Sequence, residues 1–146
     1  MPASPAPDLG NRLAALGQTL GEREAEHAAG LERARACAAA LRDQVCDALE
    51  RFHAAASAAG APHLRIEISA VRVDDKHLRA VEFELLRGRH KAIVVAKAHG
   101  GVTLVGPFHA GKDEGPCRSF PADATTELDE GLVAFLERFA EAAATP

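Results

Sequence analysis

Ala92-Ile93-Val94-Val95-Ala96-Lys97-Ala98-His99-Gly100-Gly101-Val102-Thr103-Leu104-Val105 is the stretch whose reading decides the fold. The run Ala92–Ala96 is apolar at every position, as in a strand covered on both faces. His99-Gly100-Gly101 then supplies residues that tolerate positive φ, the requirement of a tight hairpin, and Val102–Val105 returns as a second strand.

Working outward, the period of two continues upstream. Val81, Phe83 and Leu85 alternate with Glu82 and Glu84, and Leu64, Ile66 and Ile68 alternate with Arg65, Glu67 and Ser69. Arg87-Gly88-Arg89 and Asp74-Asp75-Lys76 are the expected turns. Residues 63–106 therefore predict a four-stranded antiparallel β-meander, and residues 107–124, rich in Gly and Pro and without periodicity, predict a loop.

The flanks are helical. Leu31, Ala38, Val45 and Phe52 recur every seven residues, with Ala34, Leu41, Ala48 and Ala55 interleaved. Leu49 and Ala56 widen this stripe, which suits packing on a sheet better than a two-stranded coil, although both arrangements fit the repeat. Asp8 can cap a helix starting at Leu9. Gly10, Gly17, Gly21 and Gly30 weaken its first part, each by about 1 kcal/mol relative to Ala. Gly60-Ala61-Pro62 ends it. Residues 125–143 form a last helix with Leu128, Leu132, Phe135, Leu136 and Phe139 on one face. The expected organisation is a Pro-rich tail (1–8) and one α+β domain (9–146): a long N-terminal helix over 9–59, the meander, the loop, and a C-terminal helix packed on the sheet.

Composition bounds the function. The 146 residues carry a net charge of −4, with six Phe and no Trp or Tyr. The whole molecule thus offers no long-range attraction to nucleic acid or anionic membrane and few rings for base stacking. Three cysteines, Cys37, Cys46 and Cys117, do not make a disulfide framework. The absence of a leader pattern or an apolar span points to a cytoplasmic protein.

No catalytic motif emerges. Gly106-Pro107-Phe108-His109-Ala110-Gly111-Lys112 follows a strand and matches part of a phosphate-binding loop. However, Asp113-Glu114-Gly115-Pro116 stands where a hydroxyl and a helix are needed. Cys37 and Cys46, nine residues apart, fall on opposite helix faces. No ligand spacing suggests a metal, and no cofactor is expected. The meander does bring His63, Arg87, Arg89, His90, Lys91 and His109 to one end of the sheet, with Lys112, Cys117 and Arg118 within reach, and sends His77 and His99 to the other. Residues 61–120 carry ten Lys and Arg against seven Asp and Glu, so the local balance is basic.

These residues support two readings. The first is a non-catalytic, self-associating binding or adaptor module, expected to be a homodimer because the helical stripe and strand 92–96 present apolar surface on more than one side. The second is a small-anion or acidic-partner site, or an enzymatic domain, using Arg87, Arg89, His90, His109, Lys112 and Arg118.

Overall fold

The computed structural model describes residues 8–74, 79–111 and 115–144. The chain is α+β. Helix α1 (Leu9–Ala58) is followed by β1 (Glu67–Ile68), β2 (Arg72–Val73), β3 (Ala80–Arg87), β4 (His90–Lys97), β5 (Gly101–His109), β6 (Cys117–Pro121) and α2 (Thr125–Ala144). The antiparallel sheet runs β1-β3-β4-β5-β6, with β2 also paired to β3.

Among the described residues the sheet has six strands rather than the four expected from sequence. The expected first strand, 64–69, pairs only at Glu67 and Ile68; pairing stops, then resumes at Arg72 and Val73. Upstream, the Ile66 N–H goes to His53 Nε2 of α1 (2.9 Å) instead of to a strand. The expected loop 107–124 is strand for much of its length, since β5 continues to His109 and Cys117–Pro121 adds an edge strand. That edge escaped periodicity because Phe120 is its only large apolar residue facing the core. The same extension makes Gly106–His109, the first part of the partial phosphate-loop match, strand residues and not loop; Lys112 lies outside the described residues.

Two hairpins have the turn chemistry read from sequence. Gly88 adopts φ 56° between Arg87 and His90, and Gly100 adopts φ 99° with its N–H on the Lys97 carbonyl (2.9 Å). At the start of α1, the Asp8 carboxylate accepts from the Asn11 backbone N–H (3.1 Å) and side-chain amide (2.7 Å). At its end, Gly60 takes φ 92° and donates to the Ser57 carbonyl.

Both helices cover the same face of the sheet. Leu41, Val45 and Leu49 of α1 and Leu128, Leu132, Phe135 and Phe139 of α2 close over Phe83, Leu85, Val94, Val102, Leu104 and Phe120. A smaller cluster, Ala34, Ala38, Val81 and Ala96, continues the contact towards the β4–β5 turn. Leu31, Ala34, Ala38, Leu41, Val45 and Phe52 of the heptad stripe thus pack into the chain's own core, whereas Ala48 and Ala55 are exposed. The alternating residues Ile93, Val95 and Val105 lie on the other face, partly exposed, and no described helix lies over them. The strand over Ala92–Ala96, expected to be covered on both faces, is therefore covered on one face only among the described residues.

Helix α1 does not weaken at its glycines; it runs unbroken for 50 residues. Its first part adds turns to a helix already nucleated and packed, so each residue meets only the small cost of propagation. Buried positions begin at Gly30. Residues 9–26 are all exposed and form an arm projecting beyond the body.

Candidate functional site

The arm is the least expected feature of the molecule. Leu9, Leu13, Leu16 and Leu20 are 72, 58, 51 and 46% exposed, and only one other large apolar side chain, Val133, is comparable among the described residues. Their spacing of four, three and four is that of a helix seam that packs knobs into holes. At 100° per residue the four leucines fall within an arc of about 60°, on the same side of α1 as Ala34, Ala38, Leu41 and Val45. The face that packs on the sheet thus continues past the sheet's end with nothing beneath it among the described residues. A Cβ at Gly17 or Gly21 would meet no atom within 4 Å.

The predicted basic rim is only partly assembled. His90 and His109 oppose one another across β4 and β5, their rings edge to face at 4.9 Å. Arg89 is close by, its carbonyl accepting from the Ala110 N–H (2.7 Å). Arg87 is committed elsewhere: its Nε donates to the Ala143 carbonyl (3.0 Å) and its Nη1 to the carbonyls of His63 (2.8 Å) and Arg65 (3.2 Å). It ties α2 and the β1 approach to the sheet. Arg118 pairs with Leu104 on the helix-covered face and sits 4.8 Å over the Phe120 ring. It lines a cavity of about 210 Å³ with Cys117, Gly131 and Arg138, which includes neither His90 nor His109. Lys112 and His77 lie outside the described residues. The five described residues, Arg87, Arg89, His90, His109 and Arg118, line no one pocket together.

The opposite end of the sheet holds what the sequence reading missed. A cavity of about 690 Å³ opens where the arm leaves the body, between α1 and the β4–β5 turn. Arg23, His27 and Arg33 of α1 face Arg79, Lys97 and His99 across it. The meander order places His99 at this end, but not the three helix residues beside it, because their nearness depends on the angle at which α1 crosses the sheet. One signal was available: Arg23, His27 and Gly30 succeed one another at helical spacing just before the sheet contact.

The sheet face opposite the two helices carries an ion cluster. Glu84, 7% exposed at its side chain, accepts from Lys91 (2.9 Å) and from Arg72, which also reaches Glu82 (3.1 Å). Burial alone would raise the Glu84 carboxyl, but hydrogen bonds from Lys91 and Arg72 and their charges hold it below its ordinary value. Burial pushes the Cys37 thiol up, which disfavours its thiolate. Among the described residues no group of three or more His, Cys, Asp or Glu gathers as a metal site, and no helix is long and apolar enough to cross a membrane.

Comparison with protein-family models, with curated proteins and with solved structures finds no match to this chain.

Proposed function

We propose that this chain is a non-catalytic, self-associating binding module that dimerises through the α1 arm. The observation that carries the reading is the exposed seam of Leu9, Leu13, Leu16 and Leu20. Four large apolar side chains in coiled-coil spacing cost free energy in water and gain it against a second helix of the same pattern. Four residues of the basic rim have structural partners: Arg87 has its three carbonyls, Arg118 the Phe120 ring, and His90 and His109 each other's rings.

The geometry favours antiparallel arms. The leucines and the sheet contact share one side of α1, so in a parallel pair both bodies would compete for the same space between the helices. Reversing one copy moves the bodies to opposite ends. In the symmetric register Leu9 meets the partner's Leu20, and Leu13 meets the partner's Leu16. Gly10 and Gly17 then share one flank of the seam, where the absence of side chains lets the backbones approach.

Sedimentation velocity on the full chain and on a Leu13→Asp, Leu16→Asp double variant tests this. The wild type is expected to sediment as a dimer and the variant as a folded monomer, because the arm lies outside the packed body. Equal masses for the two proteins overturn the proposal.

A further inference from the structure

We infer that the cavity at the root of the arm is a binding site for a small organic polyanion, one carrying two or more phosphate or carboxylate groups on an apolar or planar body. Three observations carry this. The first is charge. Arg23, Arg33, Arg79 and Lys97 line the cavity together with His27 and His99, whereas Glu26 is the one lining carboxylate among the described residues. None of the four Lys and Arg side chains forms an ion pair with a carboxylate among the described residues. In a protein of net charge −4, this concentration of cations around one concavity is a local reversal of sign, and three guanidinium groups offer the bidentate geometry that phosphate and carboxylate take.

The second observation is size and lining. About 690 Å³ is far more than a single inorganic anion fills and lies within the range of small-molecule sites, about 300–1,000 Å³. The deep wall is apolar: Ala34 and Ala96 are buried, with Cys37, Ala98 and Ala122 beside them. Charged groups around an apolar wall suit a ligand with both kinds of surface.

The third is construction. Gly30 brings α1 against the β4–β5 turn so closely that a Cβ there would stand 2.8 Å from the Ala98 carbonyl oxygen. Gly101 leaves room for the His99 ring, which a Cβ would meet at 3.1 Å. Two glycines thus hold the helical cations and the strand cations on facing walls. The site requires no second copy of the chain, so it stands apart from the dimer reading.

Isothermal titration of the full chain at low salt, with ADP, pyrophosphate, citrate and inorganic phosphate as probes, tests the site. ADP or citrate is expected to bind at least about tenfold more tightly than inorganic phosphate, and to weaken as salt is added. Preference for ADP and pyrophosphate assigns a phosphorylated ligand; preference for citrate assigns a polycarboxylate. An Arg33→Ala, Arg79→Ala variant should lose at least about tenfold in affinity, since each removed guanidinium takes charge-assisted hydrogen bonds with it. Arg89→Ala, at the other end of the sheet, should change nothing. The Leu13→Asp, Leu16→Asp protein should bind as the wild type does, so failure of the dimer would not be mistaken for failure of the site. No saturable binding of any probe up to about 1 mM, or equal binding by the Arg33→Ala, Arg79→Ala variant, overturns the inference. Binding of a single-stranded oligonucleotide alone overturns it as well.

Discussion

Gly30 and Ala98 touch through backbone: a methyl group at position 30 would lie 2.8 Å from the Ala98 carbonyl oxygen, inside any real Cβ contact distance. This is the point at which α1 passes from the sheet to its free arm, and it fixes the height of the helix above the β4–β5 turn. Backbone cannot swing aside as the end of a long side chain can, so a larger residue must lift the helix or tilt it.

Gly30→Ala is therefore expected to destabilise the protein by about 1–3 kcal/mol, although Gly to Ala inside a helix ordinarily gains up to about 1 kcal/mol. Gly21→Ala, where no atom lies within 4 Å of the new methyl, should show that ordinary gain. Denaturant unfolding of the two variants checks the sign. A stabilised Gly30→Ala protein would mean that the helix does not sit so close.

Val45→Asp separates the two uses of the heptad stripe. Val45 is fully buried between α1 and the sheet, so the carboxylate would have no partner and no water. A loss of about 4 kcal/mol or more is expected, read as a large fall in melting temperature at every protein concentration. A fall seen only at low concentration would place Val45 in an interface between copies instead.

His53 links stability to mildly acidic pH. Its Nε2 accepts the Ile66 N–H, which only the neutral ring can do. Burial first, and then the Arg65 charge, lower its affinity for a proton, against a smaller opposing effect of Glu50. The unfolded chain binds the proton more readily, so this contribution is complete above the ordinary histidine value of about 6.5 and is lost as pH falls below it. His53→Gln should flatten the fall in melting temperature between neutral pH and about pH 5.5. An identical fall in both proteins would contradict the role.

Glu84 acts at lower pH. Its carboxyl is held below the ordinary value of about 4.3, so its stabilisation is present above that pH and lost as pH falls through the native value. Glu84→Gln should cost on the order of 1–2 kcal/mol at neutral pH and progressively less in acid. A cost that does not change with pH would assign the effect to packing and not to charge.

The parts of this fold legible in the sequence are those carried by local pattern. Val81, Phe83 and Leu85 sort to one face because side chains alternate along a strand, and Gly60, Gly88 and Gly100 mark the places where the chain must turn with positive φ. Edge strand β6 was not legible, because its pairing with β5 supplies what its sequence lacks. The anion site was not legible for a different reason: Arg33 and Arg79 are 46 positions apart, and only the crossing of α1 over the sheet brings them to one cavity. The leucine arm was hidden by the glycines among it, which made the helix look weak where it is in fact carried by its packed continuation.

Small-angle X-ray scattering of the full chain tests the antiparallel arm most directly, because one curve gives both mass and the arrangement of mass. The account predicts twice the chain's 15.3 kDa and a distance distribution with two maxima, one for distances within each body and one for the separation of two bodies held apart by the paired arms. The mass of a single chain at every concentration, or a dimer with one compact maximum, would contradict it.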